Sequence, residues 1–214
     1  MMEKTVPDVN FISASLVQAL SFVHHQDIRT AGHTVLIIQQ QEKMTHMRRR
    51  DREVRDPHII SDIIGRARIV HLGLVDGVRP YVVPLHYGFE FSEADSPHAD
   101  ARCLTLWCHS AREGRKIDVI RANPTAFVQI DCDETLSSGG ERACSYGASY
   151  ASVMGDAQAR VIEEPKEKVR GLTLLMRTQT GRDFTITEAM AASVAVIRID
   201  VPHLSCKLCP TRQR

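Results

Sequence analysis

The chain has 214 residues, 43% of them hydrophobic and 25% charged, with a formal net charge of +1. That balance fits one folded domain with an appendage and gives no reason to expect nucleic acid or an anionic membrane as the main partner. No apolar run approaches the roughly 20 residues that span a bilayer, the first residues are polar and acidic with no leader pattern, and six cysteines read as thiols. The expected compartment is therefore the cytoplasm.

The domain pattern does not begin at once. Phe11 to Val23 has Ile12, Leu16, Leu20 and Val23 at helical spacing, and Thr34 to Ile38 suggests a stray strand. His24, His25 and His33 have no cysteine or carboxylate at ligand spacing, which favours a tail over a metal site. The expected division is an extension over residues 1–46, a domain over residues 47–207 and a tail over residues 208–214. Met44 and Met47 stand at the start of the domain. The extension is then either a start-site artefact or an arm that wraps a neighbouring subunit.

Arg48, Arg49, Arg50 and Arg52, mixed with Asp51 and Glu53, read as a solvated face. Asp56-Pro57 marks a helix start, since Asp caps and Pro suits the first helical position. Ile59, Ile60, Ile63 and Ile64 supply its buried stripe and Gly65 its stop; this helix is expected to plug one end of a barrel. Ala67 to Val75 is the first strand, and Asp76-Gly77 signals a hairpin. Tyr81 to Phe91 is the second. Pro84 in its middle cannot donate to a ladder, so it marks an edge, a bulge or an opening. Ser92 to Asp100 is a polar loop.

Leu104, Leu106 and Cys108 alternate with Thr105, Trp107 and His109, as in a half-buried third strand. The alternation stops at Ser110 to Gly114, and Arg115 and Lys116 open a helix. Ile117, Val119 and Ile120 give that helix an apolar face, and Asn123-Pro124 ends it. Thr125 to Asp131 is the fourth strand, Asp133 to Gly147 an irregular loop and Ser149 to Ile162 the fifth strand. Glu164 to Thr178 is an amphipathic helix with Val169, Leu172, Leu175 and Met176 inward. Thr187 to Ala192 forms one helical turn, and Ser193 to Val201 is the last strand. Six short strands in antiparallel succession, with flanking helices, predict a mainly β (α+β) chain closed into a small barrel.

The turn between the third strand and its helix is the best candidate site. A helix start offers unpaired N–H groups and a positive dipole end, and Gly114 permits close approach by a ligand. With Ser110, Arg115 and Lys116 it forms a phosphate socket. Taken by spacing alone, an ordinary turn with solvated cations explains the same residues.

HSAREGRK, residues 109–116, resembles the flavin-phosphate turn of the pyridoxamine 5'-phosphate oxidase-like split-barrel proteins, in particular their nitroimidazole-resistance (Nim-like) branch. Three further pieces follow in order: MRRRDRE at residues 47–53, PYVVPL at residues 80–85, and Y-x-S-V at Tyr150 to Val153. The resemblance spans Met47 to Lys207. It implies a six-stranded antiparallel FMN-binding split β-barrel that works as a homodimer with flavin between subunits. It places the cofactor against Val82, Val83, Pro84, Leu85, His109, Ser110, Arg115, Lys116, Tyr150 and Ser152. His109 aligns with the histidine of the Nim-like H-[ST] turn, where an imidazole could hold a ligand or move a proton; a structural histidine explains it equally well. His71 and His86 read as core or interface groups. Ala157 stands where Nim-like sequences place a glycine, which puts a close backbone approach there in doubt.

The implied function is an FMN-dependent oxidoreductase that passes electrons to a nitro compound or another small organic acceptor, with FAD an alternative cofactor. The other reading is a non-catalytic flavin or haem carrier on the same barrel. Cys206 and Cys209 form a C-x-x-C spacing, but two ligands do not complete a zinc site and Pro210 follows at once, so the spacing is read as coincidental and no metal is expected.

Overall fold

The structure is a computed structural model that describes residues 47–93 and 102–210. The expected helix at Phe11 to Val23, the strand at Thr34 to Ile38, the three early histidines and most of the polar loop after Phe91 lie outside these residues. The described residues form one compact unit.

Six strands close into a ring. They are β2 (Ile69–Asp76), β3 (Arg79–Glu93), β4 (Arg102–Ser110), β5 (Thr125–Ser137), β6 (Gly147–Ile162) and β7 (Ala195–Cys209). Every pairing is antiparallel, in the circular order β7, β4, β3, β2, β5, β6 and back to β7. The chain is therefore a mostly antiparallel split barrel with a few helices. A seventh strand, β1 (Glu53–Val54), lies outside the ring and pairs with Lys207 and Cys206 of β7. The segment read as a solvated basic face thus contributes an edge strand. Its two residues carry too short a pattern for alternation to reveal.

The barrel interior follows the period-2 rule. Val70, Leu72 and Leu74 of β2, Leu104, Leu106 and Cys108 of β4, and Ile197, Ile199 and Val201 of β7 all point inward and are buried. Opposite them β6 offers small residues, Ala151, Ala157 and Ala159, which leave room for the larger ones.

Helix α1 (Pro57–Arg66) contributes Ile60, Ile63 and Ile64 to this core. At about 1.5–3 kcal/mol for each buried aliphatic side chain, that stripe dominates its attachment. Asp56 caps the helix by accepting from the His58 N–H at 2.8 Å. Two details differ from expectation. Ile59 is 42% exposed, one residue off the stripe, and the helix continues through Gly65 to Arg66.

Helix α3 (Pro165–Thr180) lies across the outer face of β3 and β4. Trp107 is buried beneath it with Ile162 and Val196. Glycines make the close approach possible: a Cβ on Gly171 would lie 2.5 Å from the Trp107 ring, and one on Gly88 would lie 2.2 Å from the Leu175 nitrogen. A short helix α4 (Glu188–Ala192), capped by Thr187 at 3.2 Å, leads into β7.

β5 runs on to Ser137 and β6 begins at Gly147, so the loop expected from Asp133 to Gly147 is shortened at its start by a hairpin extension and remains irregular between these strands, apart from one helical turn at Ala143–Ser145. β7 continues eight residues beyond Val201. Its ladder with β6 jumps from Gln158↔Asp200 to Asp156↔His203, a bulge that absorbs Val201 and Pro202 opposite Ala157. Proline, which cannot donate, fits that break. The close backbone approach doubted at Ala157 occurs at Gly155 instead, where a Cβ would meet the His203 carbonyl oxygen at 2.5 Å.

No helix among the described residues is long and apolar enough to cross a membrane.

Candidate functional site

The split in the barrel lies where β3 and β4 part. Their ladder stops at Tyr87↔Cys108. Beyond that point His109 and Ser110 stay bound to β7, opposite Val196 and Ala195. Pro84, Leu85 and His86 stay bound to β2, opposite His71, Val70 and Ile69. Among the described residues the β4-side edge of β3 from Arg79 to His86 has no strand beside it. Pro84, expected at an edge, a bulge or an opening, lies on this free edge. The four β3 residues divide by face: Val83 and Leu85 pack into the core, while Val82, 60% exposed, and Pro84 face out.

The turn after β4 closes one end of the split. His109 is exposed at the strand end, and Ser110 donates its hydroxyl to the Ala111 carbonyl at 2.9 Å. Helix α2 (Arg115–Ala122) then starts with no side chain capping it. Ile117 and Asp118 donate to the Gly114 carbonyl, at 2.9 and 3.2 Å. The first two N–H groups, of Arg115 and Lys116, precede these bonds and point out of the helix end. Gly114 has φ +121° and ψ 167°, a region open essentially to glycine alone, and nothing lies within 4 Å of where a Cβ would be. The cradle is open and, among the described residues, these two donors have no partner, so the residues present fit an anionic group.

The two cations behave differently. Arg115 bonds the β2–β3 hairpin: Nε donates to Asp76 Oδ2 at 2.9 Å, Nη2 approaches the same oxygen at 2.8 Å, and the guanidinium lies over the Tyr81 ring at 4.3 Å. Lys116 is partly buried and has no carboxylate beside it among the described residues. Burial pushes its pKa below the ordinary 10.5, with the nearby Cys108 thiol acting weakly the other way. Burial in turn pushes the Cys108 thiol up to about 12, so it stays protonated. A partly buried ammonium beside an uncapped helix N-terminus has the chemistry that suits an anionic group.

Tyr150 and Ser152 are not part of this group within one chain. β6 stands three places from β3 round the ring of six, and both residues alternate with the inward Ala151 and Val153. Tyr150 accepts from Arg52 Nη1 at 3.2 Å, and Ser152 pairs with Asp131 and Lys207. His86 Nδ1 lies 3.2 Å from both the Arg68 carbonyl and Gln179 Oε1, so it ties β3 to the end of α3. His71 Nδ1 is buried and has no hydrogen-bond partner among the described residues; it lies 3.8 Å from Asp131.

Asp76 and Tyr81 carry no site signal of their own in the sequence, although Asp76 lies in the hairpin turn and Tyr81 in PYVVPL. Asp76 was legible only as half of a hairpin signal; nothing local shows that it meets Arg115 across 39 positions. Cys206 and Cys209 lie three apart on one strand, hence on opposite faces: Cys206 pairs with the inward Val153, and Cys209 with the outward Tyr150. One ion cannot take both thiols while that strand stays intact.

A family model described as pyridoxamine 5'-phosphate oxidase matches residues 56–208. Among solved structures, a candidate 5-nitroimidazole antibiotic resistance protein from Bacteroides thetaiotaomicron is 27% identical. That match covers 72% of this chain and 85% of the other, with a TM-score of 0.58. A flavocytochrome from Azotobacter vinelandii is 17% identical, covering 78% and 74%, with a TM-score of 0.59. An FAD and heme binding protein from Mycobacterium smegmatis is 14% identical, covering 76% of each chain, with a TM-score of 0.59. These last two share the fold. No curated protein matches the chain.

Proposed function

The chain belongs to the pyridoxamine 5'-phosphate oxidase family, and we propose that it is an FMN-binding oxidoreductase with its phosphate site at the start of α2. The observation that carries the reading is Lys116, a partly buried cation without a carboxylate among the described residues, beside an uncapped helix start and the open Gly114 cradle. Lys116 and the first N–H groups of α2 would hold the phosphate, with Arg115 and Ser110 at its margin. The ring would lie along the free edge of β3 at Val82 to Leu85. Bound FMN would supply the redox chemistry, and the protein binding, orientation and exclusion of water. His109, exposed at the mouth of the split, would hold a ligand or move a proton.

The site is completed by a second copy. Tyr150 and Ser152 face away from the split in their own chain, so only a partner's β6 could bring them to the flavin. The outer sheet face suits such a contact. Val82 and Phe127 both lie opposite Gly73 in one row across three strands, and Met154 is nearby on β6. These three side chains are 60%, 41% and 37% exposed. The electron acceptor is proposed as a nitro compound or another small organic molecule, after the 27%-identical neighbour.

The test is an absorbance spectrum of the purified protein, then titration with FMN and with riboflavin. Wild-type protein should bind FMN at micromolar affinity or better. Arg115→Ala with Lys116→Ala should weaken FMN by about 10²- to 10⁴-fold, since charge-assisted hydrogen bonds contribute roughly 1.5–3 kcal/mol each, and should leave riboflavin nearly unchanged. A folded sample that binds no flavin removes the reading. Bleaching by NADH or NADPH, with electrons passed to an acceptor, separates an oxidoreductase from a carrier of flavin or haem.

A further inference from the structure

We infer that Asp76 and Tyr81 are positioning residues: they set the Arg115 guanidinium so that one side chain fixes the phosphate turn against the ring-facing strand. The inference rests on the FMN reading and adds to it how the two halves of the site are held in register.

An arginine at an exposed helix start is ordinarily free to sample many rotamers. Here three contacts remove that freedom. The Nε and Nη2 edge meets one oxygen of Asp76, at 2.9 and 2.8 Å, and the face of the group rests on Tyr81 at 4.3 Å. The plane and the rotation of the guanidinium are both set. The two N–H bonds of Nη1 are not used in these contacts and form the remaining prong of the fork.

The anchor points are themselves rigid. Asp76 closes the β2–β3 ladder opposite Arg79, and Tyr81 is paired with Leu74 three residues before Pro84. The hairpin that grips Arg115 is therefore the start of the strand whose free edge lines the split. Holding Arg115 to it fixes the span between the α2 N-terminus and that edge, which is the span from phosphate to ring in one flavin. The division of labour follows from charge. Asp76 neutralises much of Arg115, so Arg115 offers directed N–H bonds while the unpaired Lys116 offers net charge.

The experiment uses the full chain. FMN and riboflavin affinities are measured for wild type, Asp76→Asn, Tyr81→Phe and Tyr81→Leu, and the Arg115 Nε–H is followed by NMR without flavin. A slowly exchanging Nε–H is expected in wild type and Tyr81→Phe, and a rapidly exchanging one in Asp76→Asn. The FMN-to-riboflavin affinity ratio should fall about three- to tenfold in Asp76→Asn, as for loss of one partly exposed charge pair. It should fall less in Tyr81→Leu and hold in Tyr81→Phe, which keeps the stacking ring. Wild type that binds FMN while Asp76→Asn leaves the ratio unchanged overturns the inference alone. A rise in the ratio overturns it as well, by showing that Asp76 competes with the phosphate. An equal loss for both ligands reduces the residues to fold support and overturns it too. Wild type that binds no flavin removes the FMN reading, and the inference falls with it, even where Arg115 is still held.

Discussion

Under α3, Arg198 lies over the Trp107 ring at 5.4 Å, donates to Asp200 at 2.8 Å and reaches Glu167 at 3.2 Å. Around it Trp107 Nε1 donates to Glu90 at 3.0 Å, Arg170 to the other Glu90 oxygen at 2.6 Å, and Thr105 to Asp200 at 3.0 Å. At the start of α2, a few residues further along from β4, the arrangement is open. Lys116 has no carboxylate partner among the described residues and Gly114 leaves space around the helix end. Both regions are rich in arginine and acid. In the first, the acids and arginines are paired with one another among the described residues, where α3 meets the sheet. In the second, Lys116 is left without a carboxylate among the described residues, beside an uncapped helix start.

The contrast can be broken first on its structural side. Trp107→Ala removes the largest fully buried side chain and should cost about 3–5 kcal/mol, read by urea denaturation as a fall in midpoint. A small loss would mean that α3 is held elsewhere.

On the open side, Lys116→Ala should weaken FMN by the roughly 1.5–3 kcal/mol of a charge-assisted bond, while stability without flavin moves by less than about 0.5 kcal/mol. The pH dependence sharpens this. The folded pKa of Lys116 lies below 10.5 because of burial, so the unfolded chain binds the proton more tightly. Stability from this group therefore rises as pH climbs between the depressed value and 10.5. FMN phosphate favours the protonated form, so the FMN-to-riboflavin ratio should begin to fall as pH rises through the depressed folded pKa in wild type and stay flat in Lys116→Ala.

Gly114→Ala should cost about 1–3 kcal/mol, because φ +121° with ψ 167° is strained for any residue with a Cβ. Thermal unfolding measures the strain. A fall in FMN affinity larger than that in riboflavin would show that the cradle itself is used.

The smallest effect belongs to the satisfied face. Arg170→Ala breaks the ion pair with Glu90, in which the arginine is 64% exposed, and should cost no more than about 1 kcal/mol. Glu90 keeps the Trp107 N–H, so denaturation should show a minor shift and FMN binding none. A large loss would make the network, rather than the buried ring, the source of stability there.

Much of this molecule was written in local pattern. Alternation at Leu104, Leu106 and Cys108 named an inward face; Asp56-Pro57 and Thr187 marked helix starts; Asp76-Gly77 marked a hairpin; and the order of four motifs from MRRRDRE through PYVVPL and HSAREGRK to Y-x-S-V pointed to the family. These features depend on neighbours within a few residues, where periodicity and capping act. Tertiary structure decided the rest. Period 2 says which way a side chain points but not which strand lies beside it, so the closure of β6 on β7, the docking of β1 and the bulge at Pro202 had no local signal. The same limit hid the grip of Asp76 on Arg115, the placing of Tyr150 across the ring from Pro84, and the opposite facing of Cys206 and Cys209. Each depends on pairing between distant segments, set by how the whole apolar face is buried at once.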